Sequence, residues 1–394
     1  MQGRTRFVPY SRQSIEADDI EAVIAALKSD YLTQGPAVEA FERDLSEYAS
    51  ARYAVAMSSG TAALHAAYFA AGIEAGSELI TSPITFAATS NAALMLDIKP
   101  VFVDVEPDTG NINAGLIEGA VSPRTKAIVP VHYAGHPVDM PAVHAIARRR
   151  GLVVIEDACH AISAEYIQPA SHTRGEWTKV GSCAHSDITV FSFHPVKPMT
   201  TGEGGAALTN DAEIYRRLKQ FRTHGITKEK LMNEPHGDWY YEMQFLGNNY
   251  RMTDLQAALG SSQLKKLDGF TARRREIVAR YEEAFRGNPY FDIPVQRSYA
   301  RTSHHLYPIR LRDACKESKR AIFSRLKEKG LGVQVHYIPV YLQPYYERMG
   351  FRKGLCPMAE DFYQREISIP LYQGMSDEEA DQVVHRLLSA FNES

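Results

Sequence analysis

A chain of 394 residues with 44% hydrophobic residues can bury a large core and exceeds the usual size of one domain, so two domains are expected. The 44 Lys and Arg residues are interspersed with 47 Asp and Glu residues, for a net charge of −3, which argues against a nucleic-acid or membrane partner. Four scattered cysteines without zinc spacing exclude a disulfide framework or a metal site, and together with an opening that lacks an apolar signal region they predict a cytoplasmic protein.

The first predicted element is a helix over residues 14–28, where Ser14 caps the start and apolar residues recur at helical spacing. From about residue 53 to 210, short β-branched apolar runs alternate with helical patterns. This alternation is typical of a parallel sheet covered by helices on both faces, so the predicted fold class is α/β. The predicted strands cover residues 53–57, 78–82, 101–105, 127–131, 152–156, 188–193 and 205–209.

Two segments between these strands need a separate interpretation. Residues 53–73 contain no charge, yet Ser58, Gly60 and His65 interrupt them, so a strand, a turn and a helix fit better than a membrane span. Residues 166–179 have no regular pattern and are predicted to form a surface hairpin or loop.

The remainder of the chain predicts a smaller α+β domain. Residues 253–285 are helical in pattern, and strands are predicted at 306–311 and 332–337, accompanied by two helices. No stretch rich in Pro, Gly or Ser separates the two parts, so the boundary near residue 260 is expected inside the long helix. The predicted domains are residues 1–260 and 261–394.

Lys197 is the strongest candidate for a catalytic residue. The sequence FSFHPVKPMTTGEGG places it at the end of an apolar strand and directly before a glycine-rich turn. A partly desolvated lysine has a lowered pKa, so its amine can attack a carbonyl, for which an aldehyde cofactor is the obvious candidate. The alternative is an ordinary surface lysine at the end of a strand.

Asp157 ends the run that begins at Leu152, and the carboxyl ends of strands form the ligand crevice of open α/β sheets. Its carboxylate is therefore expected to point into the same crevice as Lys197. Pyridoxal phosphate (PLP) requires these two groups, a lysine for the Schiff base and an acid that keeps the pyridine nitrogen protonated. Taken alone, Asp157 could equally cap a helix.

A phosphate group would need backbone N–H donors at the start of a helix. Gly60 and Thr61, in the sequence MSSGTAAL, open a helix immediately after a strand, although the same residues also fit a simple N-cap. Ser192 could add its hydroxyl to the same phosphate, or it could be satisfied within a half-buried strand.

Two ring side chains complete the predicted cofactor site. Phe86, which follows another strand, could stack on the pyridine ring, or it could pack in the core. His160, three residues after Asp157, could reach the phenolic oxygen of the cofactor or support the aspartate, or it could be an ordinary helix residue. The absence of a GxGxxG or GxxxxGK[ST] sequence argues against a dinucleotide-binding or a P-loop enzyme.

The motifs SGT, ITF, EDACH and SFHPVKPMTTGEGG follow one another in an order that resembles the DegT/DnrJ/EryC1/StrS family of sugar aminotransferases. The similarity runs nearly end to end and includes YLTQGPAVEAFE (31–42), LGNNYRMTDLQAALG (246–260) and VQVHYIPVYLQPYY (333–346). It implies the fold-type I aminotransferase architecture, with a mainly parallel seven-stranded sheet in the large domain. The segments VPYSRQSI, SFHPVK and VHYIPV most closely resemble the branch that acts in pseudaminic acid biosynthesis.

The resemblance implies a role for each matching residue. Lys197 matches the Schiff-base lysine and Asp157 the partner of the pyridinium. The remaining cofactor contacts would be Phe86 as the stacking ring, His160 at the ring oxygen, and Gly60, Thr61, Ser192 and Asn249 at the phosphate, with Asn249 reaching across a homodimer whose subunits share the site. Residues in motifs that line the nucleotide-sugar cleft of the family are Tyr31, Thr33, Gly35, His336 and Tyr337.

The implied reaction is a transamination in which L-glutamate donates its amino group to a 4-keto-6-deoxy sugar carried on UDP. A GDP- or dTDP-linked sugar, a PLP-dependent dehydratase or lyase, and a non-catalytic binding protein on the same fold stay open as alternatives. Two departures from the family are Ser163, where relatives usually have glycine, and a longer segment at 166–179. The lysine position itself matches the aminotransferases rather than the dehydratases, which have histidine there.

Overall fold

The computed structural model describes residues 7–167 and 177–392, and its centre is a seven-stranded sheet. The described strands, in chain order, are β1 (Tyr53–Met57), β2 (Glu78–Thr81), β3 (Lys99–Phe102), β4 (Thr125–Val129), β5 (Val153–Asp157), β6 (Glu165–Tyr166), β7 (Thr178–Lys179), β8 (Ile188–Ser192), β9 (Gly205–Thr209), β10 (Ile226–Thr227), β11 (Glu242–Met243), β12 (Phe291–Asp292), β13 (Ala300–Arg301), β14 (Tyr307–Leu311) and β15 (Glu366–Ile369).

Helices flank the sheet and build the C-terminal part. The described α-helices, in chain order, are α1 (Ala17–Leu27), α2 (Pro36–Ala49), α3 (Gly60–Ala70), α4 (Ala88–Leu94), α5 (Ala114–Ala120), α6 (Met140–Arg150), α7 (Ala212–Phe221), α8 (Asp254–Phe285), α9 (Lys319–Glu328), α10 (Pro344–Arg348), α11 (Pro357–Arg365) and α12 (Asp377–Asn392).

The strand order of the large sheet is β1-β9-β8-β5-β4-β2-β3. Strand β9 is antiparallel to both of its neighbours, whereas the pairs β8–β5, β5–β4, β4–β2 and β2–β3 are parallel. Six strands therefore run in one direction, and their carboxyl ends meet at one edge of the sheet. This arrangement confirms the predicted α/β fold and brings the ends of β1, β5 and β8 together.

The uncharged segment 53–73 is buried within this fold. It forms β1, a turn and α3, and nearly every side chain of α3 is buried because the helix packs between the sheet and its neighbours. The apolar composition of the segment is thus explained by burial on all sides of a helix. Within residues 7–167 and 177–392, no helix combines the length and apolar character that crossing a membrane would need.

Helix α8 extends from one hydrophobic core to another. Leu264 and Leu267 pack in the core on one face of the sheet, whereas Ile277 and Tyr281, about three turns further along, pack in a second core with β14 and β15. Val8 also belongs to the second core, and its N–H bonds to the carbonyl of Gly330 at 2.9 Å. The division into residues 1–260 and 261–394 stays a prediction.

Two predicted elements differ from the structure. Helix α1 is capped by Glu16 rather than Ser14, because the buried Asp19 bonds back to the Glu16 N–H and fixes the first turn there. Residues 332–337 do not form a strand: beyond an isolated bridge at Gln334, the backbone at His336 bonds to side chains instead of a neighbouring strand.

The other predicted strand boundaries agree within a few residues, and the strand predicted at 101–105 is observed as Lys99–Phe102. Four described α-helices, α9 to α12, follow α8, where two were predicted. The predicted hairpin at 166–179 is present at its base, where β6 pairs antiparallel with β7. Its middle, residues 168–176, lies outside the described residues.

Candidate active site

A cavity of about 480 Å³ opens at the carboxyl edge of the parallel strands. Its walls combine the ends of β1, β2, β5 and β8 with the segment at residues 336–337 from the C-terminal part. The nine predicted site residues that line it are Gly60, Thr61, Phe86, Asp157, His160, Ser192, Lys197, His336 and Tyr337. The structure therefore brings together most of the residues that the sequence singled out.

Lys197 lies in the loop that joins β8 to β9, five residues beyond the last residue of the strand, and not at the strand end as predicted. The loop is closed by hydrogen bonds from Thr200 Oγ1 and the Thr201 N–H to the Phe193 carbonyl, each 3.0 Å long. It is therefore held rigidly although it is not a strand.

The amine of Lys197 is poised to react. Its ammonium makes no hydrogen bond or ion pair with any residue that the structure describes, and the side chain is half-buried in the cavity wall. Desolvation by burial lowers its pKa, and the nearby Cys159 and Asp157 oppose that shift. A lowered pKa increases the fraction of free amine, which is the nucleophilic form.

Asp157 is the last residue of β5, and only 5% of its surface is exposed. Thr89 Oγ1 donates to its Oδ2 at 2.6 Å, and the Cys159 N–H donates to its Oδ1 at 3.2 Å. Thr85 in turn bonds to Thr89 through their hydroxyls at 2.7 Å. Among the described residues no cation pairs with this buried carboxylate, so it fits a ligand that brings a positive charge.

Gly60, Thr61 and Ser192 form a small cradle between β1 and β8. Strand β9 pairs with both, so that Gly205 lies opposite Met57 on one side and Ser192 on the other. A Cβ atom on Gly60 would stand 3.0 Å from that of Ser192. The first N–H groups of α3 have no partner within the helix, so this cradle suits a phosphate.

The rings of Phe86, His160 and Tyr337 surround the upper part of the cavity. Phe86 is 63% exposed, which contradicts the alternative of core packing, and its ring lies 6.3 Å from that of Tyr337. The Tyr337 hydroxyl and His160 Nε2 are 3.1 Å apart, whereas the buried His160 Nδ1 has no hydrogen-bond partner among the described residues. Burial, together with the Lys197 charge, holds the pKa of His160 well below its usual value, so the ring is neutral.

The segment after Asp157 contains turns rather than the helix that the sequence suggested, with the Ala161 N–H bonded to the Ala158 carbonyl at 2.8 Å. Ser163 has a φ of +69°, in the left-handed region that favours glycine. Glycine, the residue that the family resemblance leads us to expect there, would adopt this φ without strain. The Ser163 hydroxyl lies 2.7 Å from that of Thr271 on α8.

Four predicted residues lie outside this cavity in the single chain. Gly35 donates its N–H to Asp254 at 2.9 Å, Thr33 pairs with Thr253, and Asn249 pairs with Thr223. Tyr31 is exposed beside them. Gly35 also lines a separate, more open depression of about 610 Å³ that contains Arg216, Lys219, Arg222 and Arg251.

Several residues at the main cavity were not predicted from the sequence. Tyr10 and His305 line it, and the His305 ring lies 4.4 Å from that of His160. Thr89, which bonds to Asp157, was also missed. Their positions are far from the lysine motif in the chain, so only the fold shows that they meet it.

Comparison with known proteins agrees with this geometry. The model of the DegT/DnrJ/EryC1/StrS aminotransferase family matches residues 13–388. The UDP-4-amino-4,6-dideoxy-N-acetyl-beta-L-altrosamine transaminase of Campylobacter jejuni is 40% identical over 385 residues, which are 97% of this chain and 97% of that protein.

Solved structures show the same architecture. Helicobacter pylori PseC, an aminotransferase involved in the biosynthesis of pseudaminic acid, superposes with a TM-score of 0.90 at 34% identity, covering 99% of this chain and 100% of that one. The PLP form of Spr1654 from Streptococcus pneumoniae has a TM-score of 0.89 at 29% identity, covering 98% and 99% of the two chains.

Proposed function

The chain belongs to the DegT/DnrJ/EryC1/StrS aminotransferase family, and we propose that it transfers the amino group of L-glutamate to carbon 4 of a UDP-linked 4-keto-6-deoxy sugar. It is a PLP-dependent enzyme with the fold-type I architecture. The proposed substrate is UDP-2-acetamido-2,6-dideoxy-β-L-arabino-4-hexulose, and the product UDP-4-amino-4,6-dideoxy-N-acetyl-β-L-altrosamine. A cytoplasmic location is part of the proposal.

One observation carries the proposal for the chemistry: an unpaired lysine and an unpaired buried carboxylate face the same cavity. Among the residues that the structure describes, none pairs with the Lys197 ammonium, and no cation forms an ion pair with Asp157. Leaving both groups unpaired costs stability, so a ligand that satisfies both is the simplest reason for the arrangement. The choice of sugar is supported by the similarity to the Campylobacter and Helicobacter proteins.

The residues of the cavity fit PLP group by group. Asp157 would hold the protonated ring nitrogen, and Phe86 would cover one face of the ring. Gly60, Thr61 and Ser192 would bind the phosphate at the start of α3, and Lys197 would bond to the aldehyde carbon through its amine. When bound, PLP supplies an electron sink that stabilises negative charge at the substrate carbon.

Lys197 would also move the proton in each half-reaction. Once its amine is released, Nζ can take the proton from the amino-bearing carbon of L-glutamate, and it can later deliver a proton to C4 of the sugar. The lowered pKa of Lys197 favours this role, because a free amine is needed to accept the proton. The neutral His160, held by Tyr337, would orient the ring oxygen of the cofactor.

The proposed active form is a homodimer in which the subunits share each site. Asn249 matches a phosphate ligand of the family, yet in the single chain it lies outside the cavity and pairs with Thr223. Tyr31, Thr33 and Gly35 are outside the cavity too. A second subunit could supply Asn249 to the phosphate and the 31–35 segment to the nucleotide, completing a site that one chain leaves open.

The proposed substrate can be tested with the enzyme in its amine form. The holoenzyme is treated with L-glutamate, freed of excess donor and 2-oxoglutarate, and then mixed with the proposed UDP-linked 4-keto sugar. Return of the visible absorbance of the aldehyde form, with one amino sugar formed per active site, is the expected result. Mass spectrometry of the nucleotide product measures the transfer independently.

Addition of 2-oxoglutarate provides the control, since it should return the same absorbance in any glutamate-dependent aminotransferase. If 2-oxoglutarate restores the absorbance and the UDP sugar does not, the proposed sugar is wrong and the aminotransferase activity stands. If the sugar is converted without dependence on L-glutamate, the enzyme is a dehydratase or lyase instead.

A further inference from the structure

A chain of three polar side chains runs from the cavity wall into the C-terminal part. His336 lines the cavity, and its Nδ1 lies 2.8 Å from Ser368 Oγ. Ser368 Oγ donates to Glu366 Oε1 at 2.5 Å. Ser368 and Glu366 are both fully buried on β15, so these hydrogen bonds connect a buried carboxyl group to a residue of the cavity wall.

The backbone around His336 is fixed on both sides. Glu366 Oε2 accepts the His336 N–H at 2.8 Å, and the Tyr133 hydroxyl donates to the His336 carbonyl at 2.6 Å. The Ser368 backbone also exchanges hydrogen bonds with Gln334, two residues before His336. The imidazole is therefore held in one place, and its Nε2 makes no hydrogen bond with any described residue.

The number of hydrogens shared along the hydrogen bonds from His336 through Ser368 to Glu366 links the charge of Glu366 to the tautomer of His336. An ionised carboxylate can only accept, so Ser368 gives its single hydrogen to Glu366 and must accept one from His336 Nδ1. His336 Nε2 is then an acceptor. A protonated Glu366 donates to Ser368, which turns its hydrogen to His336 Nδ1, so that Nε2 carries the hydrogen and donates.

We propose that Glu366, acting through Ser368, sets which hydrogen-bonding group His336 presents to the sugar: a donor while the carboxyl group is protonated and an acceptor once it is ionised. The inference rests on the proposed function only for the identity of the bound sugar. Glu366 and Ser368 are positioning residues, and His336 is the residue that would touch a hydroxyl, carbonyl or N–H group of the substrate.

The proton balance of the switch closes within the three residues. One proton enters from the cavity at His336 Nε2, Nδ1 gives its hydrogen to Ser368 Oγ, and Ser368 gives its own hydrogen to Glu366 Oε1. The three side chains together thereby take up one proton, and the negative charge of Glu366 disappears. Since Glu366 has no exposed surface, this path lets its carboxyl group exchange a proton with the cavity.

The electrostatic surroundings place the switch in an accessible pH range. Burial raises the pKa of Glu366 to about 8, opposed by its hydrogen bonds and by the Lys319 ammonium. Burial, with the Lys197 charge, lowers the pKa of His336 to about 3, so this ring stays neutral and only its tautomer changes. Further titratable or charged groups around the two residues, in the part of the chain that the structure describes, are Tyr133, Tyr337, Arg310, His160, His305 and Tyr10.

The tautomer can be read by ¹⁵N NMR of histidine-labelled holoenzyme without any sugar, because a ring nitrogen that carries hydrogen differs in shift from one that does not. His336→Asn identifies the signal among the 14 histidines. From about pH 6 to about pH 10, the wild-type hydrogen is expected to move from Nε2 to Nδ1 as Glu366 ionises. An unchanged tautomer over this range would overturn the proposal.

Glu366→Gln tests the link to the carboxyl group. Only one orientation of its amide satisfies both neighbours, with the oxygen accepting the His336 N–H and the NH₂ donating to Ser368, so His336 should stay in the Nε2–H form at every pH. Ser368→Ala removes the connection, and the tautomer should then cease to follow pH. Glu328→Gln, an exposed change on α9, is the matched control and should behave as wild type.

Kinetics supply the functional readout. For wild type, kcat/KM for the sugar should change about tenfold across the same pH range, because a donor and an acceptor suit different sugar groups. In Glu366→Gln this change should vanish. Identical sugar profiles in the two proteins would refute the role of Glu366.

The two proposals fail in different ways. If wild type does not aminate the UDP sugar but the tautomer follows Glu366, the substrate is wrong and the link between Glu366 and His336 stands. If the sugar is aminated and the tautomer is the same in wild type and Glu366→Gln at about pH 10, the link is wrong and the substrate stands.

Discussion

Lys197 and Asp157 differ in how their environments prepare them. Burial lowers the pKa of the lysine, and no side chain in the described part of the protein makes a hydrogen bond or ion pair with its amine. The carboxylate of Asp157 is held at both oxygens, by Thr89 and by the Cys159 N–H, and so cannot rotate away. One group is free to react, and the other is fixed to provide charge, which is what their proposed roles require.

Replacing Lys197 by arginine separates charge from reactivity. Arginine keeps the positive charge but stays protonated, so it can neither attack a carbonyl nor accept a proton. We expect amino transfer to fall by roughly a thousandfold or more, with the melting temperature nearly unchanged. Single-turnover absorbance after mixing with L-glutamate measures the loss.

Lys265→Arg, an exposed change on α8, is the control for this substitution and should transfer amino groups at the wild-type rate. A Lys197→Arg protein that kept even a tenth of normal transfer would remove Lys197 from the chemistry.

At this scale the sequence predicts residues that lie in a local motif and misses those that meet only in the fold. The sequence predicts Lys197 and Asp157 because each lies at or just beyond the end of a recognisable strand, and both line the cavity. Glu156, beside Asp157, points to the opposite face of the sheet. There its buried Oε2 lies 2.8 Å from His132 Nε2, and this contact stabilises the Glu156 carboxylate. No pattern in the sequence links Glu156 to His132, or Thr89 to Asp157.

Among the elements, the strands of the large sheet were predicted well because each is a short apolar run between turn residues. The segment 332–337 was predicted as a strand for the same reason, and the prediction was wrong. At His336 its backbone bonds to the side chains of Glu366 and Tyr133, and a sequence pattern contains no information about such distant partners. The cap of α1 likewise depends on the contact of Asp19 with Gln263 on α8.

The start of β9 determines how closely β1 and β8 approach the start of α3. A Cβ atom on Gly205 would lie 2.5 Å from the Gly60 nitrogen, so a side chain there must push the cradle apart. We expect Gly205→Ala to weaken PLP binding about tenfold or more, because the N–H donors shift away from the phosphate. Titration of the apoenzyme with PLP, followed by fluorescence, measures this affinity.

Gly269→Ala is the matched control, because a Cβ atom at this exposed position of α8 meets nothing within 4 Å. It should bind PLP as wild type does and gain a little helix stability. If wild type, Gly205→Ala and Gly269→Ala all bind PLP with equal affinity, the cradle does not bind the phosphate.

The whole molecule is proposed to work as a dimer, which can be tested by mixing two inactive chains. In a shared site, a heterodimer of Lys197→Ala and Asn249→Ala has one site with neither change. Refolding the two variants together at equal concentration should therefore restore about a quarter of wild-type activity, from half of the dimers with one good site each.

Each variant refolded alone is the control and should stay at its own low activity. If the mixture is no more active than the average of the two variants, Asn249 acts within its own chain and the shared site is wrong. The position of Asn249, outside the cavity of the single chain, is what favours complementation.

The pairing of β9 with both β1 and β8 also has a consequence for synthesis of the protein. In the large sheet, β1 touches only β9, and residues 58–204 must be made before that partner exists. Pairings between distant segments close late in folding. A nascent chain can therefore assemble strands β2 to β5 early, but the groups that would hold a phosphate come together only after Gly205–Thr209 has emerged.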